Sequence, residues 1–277
     1  MMMLKCKHCG RAFMSERRSR QYCSVQCSAQ ANGDKRAAAT DARPRSTVFS
    51  SGGGVQSTAM AVLIATGRLS VPDFAIMVDV GFESARTLDY VREVTQPRLA
   101  EVGCSLNIVK ASDYANVDLV LPSGVVCIPA FMRRDDGSVA HFATYCNNNW
   151  KVGVVRKYVL QHGGDSMETW LGISTDEAHR ARASKSKSST LRYPLIEMGL
   201  SRYDCVQLIK AAGWPLPMRT SCVCCPQRTD SEWLRLMYEQ PEDFKRAEAI
   251  ERQIRRSRPD VFLHRKCVPL REALMSE

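Results

Sequence analysis

No apolar run in this 277-residue chain approaches the roughly 18–20 residues a membrane-spanning helix needs, and the longest candidate, residues 59–65, fits inside a fold. Residues 1–10 carry two cysteines and no apolar core, so no secretory leader is expected and the expected location is cytoplasmic, with no membrane partner. Internal repeats and heptads are missing too, which leaves out solenoids and coiled coils. The Gly-Lys-Ser/Thr ending of a Walker phosphate loop is also absent. Disorder is excluded by the balance of 44% hydrophobic and 25% charged residues, that of a globular protein.

What the chain does have is cysteine and positive charge. In a reducing compartment twelve cysteines do not make a disulfide framework, and clustered ones point to metal or redox chemistry. The net charge of +10 is uneven: residues 1–50 hold ten Lys or Arg against three Asp or Glu, which is +7 of the total. A basic appendage on a nearly balanced remainder suggests contact with a polyanion, nucleic acid first, although a solvated surface would carry the same charges.

Composition divides the chain into a cysteine-bearing module at 1–30, a linker at 31–45, a nucleotide-binding domain at 46–200 and a helical, cysteine-bearing part at 201–277. From residue 46 onward, strand-like apolar runs at 47–49, 74–78, 106–109 and 169–173 alternate with helical patterns at 57–65, 87–99 and 150–160. Such alternation predicts an α/β fold, a mostly parallel sheet wrapped by helices. Residues 202–212 and 232–256 read as helices, and 181–190, rich in Ser, Lys and Arg, as a loop.

In the first module, Cys6-x2-Cys9 and Cys23-x3-Cys27 are two chelating pairs separated by thirteen residues. Zinc takes four tetrahedral ligands, and two pairs joined by a short hairpin supply them at small entropic cost. The segment is too small to bury a core, so Zn2+ would provide its folding energy, with Phe13 and Tyr22 as packing residues. Two unrelated reduced thiol pairs are the alternative. His8 reads as a bystander.

The second motif is Ser50-Ser51-Gly52-Gly53-Gly54-Val55-Gln56-Ser57-Thr58, between a strand-like run and a helical pattern. Glycines let the backbone approach a phosphate, successive N–H groups form an anion nest, and the following helix adds its dipole. Ser51, Ser57 and Thr58 offer hydroxyls. Further on come Asp79-Val80-Gly81 with Glu83, Thr87 and Tyr90, and then Gly172-Ile173-Ser174-Thr175-Asp176-Glu177 with Arg180 and Arg182. Tyr193-Pro194-Leu195-Ile196, Arg202-Tyr203-Asp204-Cys205 and Cys222-Val223-Cys224-Cys225-Pro226 follow. In order and spacing these resemble the PP-loop ATP pyrophosphatases, or adenine nucleotide alpha hydrolases, and within them the 3′-phosphoadenylylsulfate (PAPS) reductase-like branch, over residues 46–251. The resemblance implies a Rossmann-like sheet and an adenine nucleotide, ATP with Mg2+, held by Ser51, Gly52, Gly53, Gly54, Gln56, Ser57 and Thr58. Asp79, Arg180 and Arg182 would be the catalytic groups. Plainer readings are that Asp79 caps the next helix, that the arginines are solvated, and that Asp176 and Glu177 merely orient them. Two departures stand out: related pyrophosphatases carry an acid where Gln56 stands, and the Glu-Cys-Gly of true PAPS reductases is not matched by Cys267.

The remaining cysteines include the chelating pair Cys222-x2-Cys225, with Cys146 upstream. This resembles the [4Fe–4S] pattern of adenylylsulfate reductases, with Cys205 as fourth ligand or the fourth iron open. A second Zn2+ or buried free thiols fit the same spacing. The reading that unites these features is an enzyme that adenylates a substrate with release of pyrophosphate, for sulfur transfer to nucleic acid (tRNA or DNA), from a sulfur donor the sequence does not name. Sulfonucleotide reduction, and nucleotide or nucleic-acid binding without catalysis, are the alternatives.

Overall fold

The structure is a computed structural model that describes residues 1–16, 19–28, 30–31, 45–142, 146–164, 166–184 and 188–275. Apart from its two end residues, the linker expected at 31–45 lies outside them, as do 185–187 of the Ser/Lys/Arg loop.

A hairpin of β1 (Met2–Lys5) and β2 (Ala12–Ser15) opens the chain, paired antiparallel with Met3 opposite Met14. The body begins with β3 (Ser46–Ser51) and α1 (Val55–Ala65). Next come β4 (Phe74–Asp79), a helical stretch of α2 (Ala85–Tyr90), a π-helical turn (Val91–Thr95) and α3 (Gln96–Ala100), and β5 (Leu106–Lys110). A long excursion carries β6 (Phe131–Arg133), β7 (Val139–His141), a second π-helical turn (Asn147–Val152) and α4 (Gly153–Gln161). The chain then returns as β8 (Met167–Leu171), a 3-10 turn (Thr175–Arg180) and β9 (Ser189–Arg192). It ends with α5 (Pro194–Glu197), α6 (Arg202–Ala211), α7 (Asp230–Glu239), α8 (Pro241–Ser257), β10 (Val261–Phe262) and α9 (Leu270–Met275).

The main sheet runs β5-β4-β3-β8-β9, every pair parallel. This is a doubly wound, Rossmann-like α/β sheet, and its strands are apolar on both faces, as burial under two helical layers requires. Successive residues serve opposite cores: Val48, Ile76 and Val78 meet Trp150, Val154, Trp233 and Phe244 on one side. Phe49, Ala75 and Met77 meet α1, Leu99, Leu195 and Ile209 on the other. Residues 201–277 therefore form no separate unit; α6 covers one face, and α7, α8 and α9 share the core of the other. A small antiparallel sheet, β10-β6-β7, stands apart from the main one.

Several differences from the sequence reading have physical causes. The helical pattern at 232–256 is two helices, because Pro241 starts α8 and forces Gln240 out of helical geometry (φ −140°, ψ 60°). The strand expected at 169–173 lies two residues earlier, and Gly172 turns the chain out of the sheet. β9 had been hidden in what reads as a polar loop.

Building outward from β3, the chain winds one way through β4 to β5 and then crosses back to place β8 on the other flank. The reversal between β3 and β8 is a topological switch point, where crossover loops leave the carboxyl ends of two adjacent strands in opposite directions and open a crevice.

Candidate functional site

In the opening hairpin, the N–H of Gly10 donates to the carbonyl of Cys6 (3.0 Å) and that of Cys6 to Arg11 (2.9 Å), curling Cys9 back toward Cys6. Cys27 is brought round by a helical turn whose start is tied by Ser24 Oγ accepting from the Cys27 N–H (3.1 Å). The sulfurs of Cys6, Cys9, Cys23 and Cys27 all lie within 4.8 Å of one another, and Cys23 is 3.5 Å from both Cys9 and Cys27. An ideal zinc tetrahedron with bonds of about 2.3 Å has sulfur–sulfur edges of about 3.8 Å, so these residues fit a single ion. Burial opposes the Cys6 thiolate, but backbone N–H groups of Cys9, Cys23 and His8 outweigh it and draw its pKa down to about 6. Cys23 is pushed up to about 12 by its contacts with the Cys27 and Cys9 thiols. Sulfurs this close cannot all ionise without a cation among them. Arg20 lies over the Phe13 ring (5.6 Å), the first of the two expected packing residues, and donates to the Tyr22 backbone carbonyl (3.2 Å).

The glycine turn joins β3 to α1 at the switch point. Gly53 has φ +70°, and a Cβ there would stand 2.8 Å from Thr87 Cγ2, so backbone freedom and lack of a side chain are both required. The N–H of Gly52 donates to Ser57 Oγ (3.0 Å) and that of Gly53 to Ser51 Oγ (3.2 Å), which fixes the turn with N–H groups gathered at the start of α1. Thr58 Oγ1 is sealed from solvent without a hydrogen bond. On the neighbouring strand, a Cβ at Gly172 would come within 3.0 Å of the Gln56 carbonyl carbon and the Ser57 nitrogen, so β8 delivers its loop directly onto the first turn of α1. Asp79 ends β4 on the other side and accepts from the Gly81 N–H (2.8 Å). The turn, Asp79 and the 172–177 segment thus converge at the carboxyl ends of three adjacent strands.

A strap at residues 213–229, of which the sequence singles out only 222–226, crosses this edge. Tyr90 donates to the Pro215 carbonyl (2.6 Å), and the Val223 N–H donates to Phe82 (2.7 Å). Thr220 Oγ1 lies 2.6 Å from where a Cβ at Gly54 would stand. The strap carries Cys222, Cys224 and Cys225 to the same edge. Cys222 donates to Glu83 Oε1 (3.5 Å), and Glu83, 4% exposed, is ion-paired with Lys151 at 2.7 Å. Burial disfavours the Lys151 ammonium, but Glu83 more than offsets this and raises its pKa. Burial pushes the thiols of Cys222 and Cys146 up, and that of Cys224 up to about 12. Cys146, Cys222, Cys224 and Cys225 feel one another's charge, and Lys151 and Arg228 are the cations beside them.

Cys205 does not join this group. It is fully buried on α6 in the core on the other face of the sheet, beside Ile209, where burial raises its thiol to about 11. The four-cysteine set with Cys205 is corrected to Cys146, Cys222 and Cys225, with Cys224 between them. Among the described residues, Cys6, Cys9, Cys23 and Cys27 are the group whose sulfurs are tight enough for a single ion.

Gln56 sits between opposite charges. Its Nε2 donates to Glu177 Oε2 (3.3 Å) and weakly to Ser174 Oγ (3.5 Å), and its Oε1 accepts from Arg202 (3.0 Å). Arg180 is paired with Glu177 at 2.7 Å, so this acid does orient it. Arg182 is exposed, its backbone clipped at both N–H and carbonyl by the Tyr193 hydroxyl. Each acid here has one oxygen engaged: Glu177 Oε2 by Arg180 and Gln56, Glu83 Oε1 by Lys151 and Cys222, Asp176 Oδ2 by Ser174 Oγ (3.3 Å) and the Arg202 N–H, and Asp79 Oδ1 by the Gly81 N–H.

No protein-family model and no curated protein matches the chain. Among solved structures it is similar to the U34-tRNA thiolase NcsA from Methanococcus maripaludis with its [4Fe–4S] cluster, at a TM-score of 0.41 and 16% identity over 92% of this chain and 89% of that one. It is also similar to the PAPS reductase from Candida auris in its phosphate complex, at a TM-score of 0.41 and 13% identity over 74% of this chain and 91% of that one. Neither likeness is strong enough to bear on chemistry. The chain's resemblance to the PAPS reductase-like branch of PP-loop proteins rests on its own motifs, set on a doubly wound sheet with the glycine turn at the switch point.

Proposed function

We propose that the protein is a PP-loop enzyme that binds an adenine nucleotide at the turn Ser51–Thr58 and uses it to adenylate a substrate. The observation that supports this reading is that the glycine turn and the 172–177 segment meet at the β3–β8 switch point, with Asp79 at the carboxyl end of the adjacent strand β4. A substrate oxygen attacks the α-phosphorus of ATP, the bond to the β-phosphate oxygen breaks, and pyrophosphate leaves. The turn amides and hydroxyls hold the phosphates, donors aimed at charge that develops on the leaving group. Arg182, whose side chain is exposed, neutralises that charge, with Arg180 as the alternative.

A sulfur nucleophile then displaces AMP. Cys146, Cys222 and Cys225 would hold a [4Fe–4S] cluster, which supplies an open iron for carrying sulfide; Lys151 and Arg228 offset the charge of the thiolates. The substrate class is nucleic acid, supported by the +7 charge of residues 1–50 and by the zinc-ready hairpin in the same segment. No helix among the described residues is long and apolar enough to cross a membrane.

The test is pyrophosphate release by the anaerobically purified protein with ATP and bulk tRNA or DNA. Release dependent on nucleic acid is expected, lost at least about a hundred-fold in Gly53→Ala, because several kcal/mol of phosphate positioning disappear with the turn. ATP binding without release would favour a binding protein. Sulfite release from PAPS would make it a reductase.

A further inference from the structure

The neutral residue at position 56 is specified by its surroundings. A carboxylate there could not donate to Glu177, and would set two negative charges about 3.3 Å apart. A carboxamide does both things the site needs: it donates to Glu177 and accepts from Arg202. Arg202 is fixed at two ends, its side chain on Gln56 and its backbone N–H on Asp176. It opens α6 directly after a capping box in which Ser201 Oγ accepts from the Asp204 N–H and Asp204 accepts from the Ser201 N–H, so the first turn that carries it is rigid. Arg180 spends its charge on Glu177. Among the described residues Arg202 has no carboxylate ion pair, and its guanidinium is exposed one side chain from the second residue of α1.

We propose that Arg202, positioned by Gln56, is the cation that receives the nucleotide's phosphates at the glycine turn, and that nucleotide binding here needs no divalent metal. This rests on the nucleotide reading above. It gives the neutral residue at position 56 a purpose: Gln56 holds a guanidinium beside the turn, where a carboxylate would instead face Glu177. Guanidinium suits the task because its planar fork matches phosphate oxygens and remains charged at any working pH.

The experiment is calorimetric titration of the full chain with ATP, in EDTA and in Mg2+, for the wild type, Arg202→Gln, Arg202→Lys and Gln56→Glu. The wild-type Kd should agree within about two-fold between the two conditions. Arg202→Gln should weaken binding roughly ten- to a hundred-fold in both, the usual range for a lost charge-assisted hydrogen bond. Arg202→Lys should recover part of that loss, and Gln56→Glu should bind poorly in EDTA and regain affinity with Mg2+. Because the Arg202 side chain is exposed, its variants should melt with the wild type. Wild-type binding that requires Mg2+, or an Arg202→Gln variant that binds normally, overturns the proposal while leaving the nucleotide site standing. Failure of the wild type to bind ATP, ADP or AMP in either condition overturns both.

Discussion

The two cysteine regions use the same chemistry and are organised in opposite ways. Cys6, Cys9, Cys23 and Cys27 come together within 22 residues of sequence, through a hairpin and one helical turn, with almost no apolar core behind them. Cys146, Cys222, Cys224 and Cys225 are gathered from sites far apart in sequence, onto a sheet edge whose hydrophobic layers exist without them. The first set is brought together by local chain geometry; the second is brought together only by the fold. Spacing reads the first set completely; for the second it finds the pair Cys222-x2-Cys225 but misplaces the distant partner Cys205, which only packing can settle.

The largest effect that could break this contrast is on the first set. Cys23→Ser, or a strong zinc chelator, should remove one equivalent of zinc and collapse the hairpin, since structural zinc in such small modules supplies on the order of 10 kcal/mol. Melting of the α/β body should not move. Zinc analysis with amide NMR of residues 1–30 measures both, and a hairpin that keeps its dispersion without metal would end the distinction.

A smaller effect is expected at the second set. Lys151→Met leaves the buried Glu83 carboxylate without its cation, at about 3 kcal/mol, the low end for a broken buried pair because the Lys151 side chain is 36% exposed. Lys151→Met/Glu83→Gln should recover most of that loss in urea unfolding. If the double variant is no better than the single, the pair is not what holds this edge together.

The smallest effect sharpens the assignment of ligands. Cys205→Ala should cost about 1 kcal/mol through a small cavity and leave the iron content of anaerobically purified protein unchanged, whereas Cys222→Ala should lower it. Loss of iron from Cys205→Ala would return Cys205 to the ligand set.

These cases also show what the sequence could and could not tell. The alternation of Val48 with Phe49 and of Ile76 with Met77 is enough for a sheet buried on both faces, and the tight cysteine quartet is legible from spacing. Cys205 was placed with the other cysteines because its chemistry suited them. Its position four residues before Ile209, on one helical face, was the signal that it belongs to a core. Gln56 reads as a lost acid because Glu177 and Arg202, its partners, lie more than a hundred residues away. Thr220 over Gly54 and Lys151 on Glu83 have no local signature at all, and β6, β7 and β10 are too short to show a period.

The strap over the glycine turn also bears on how the chain leaves the ribosome. Every strand of the main sheet has been synthesised by Arg192, but Thr220, Cys222 and the Asp243 carboxylate that accepts from Ser84 Oγ (2.7 Å) come later. At roughly 5–20 residues per second, a nascent chain spends seconds with every strand of the main sheet made and the strap still to come. Cys222, Cys224 and Cys225 are therefore made after every strand of the edge they join, so any cluster they hold can be loaded only late in synthesis.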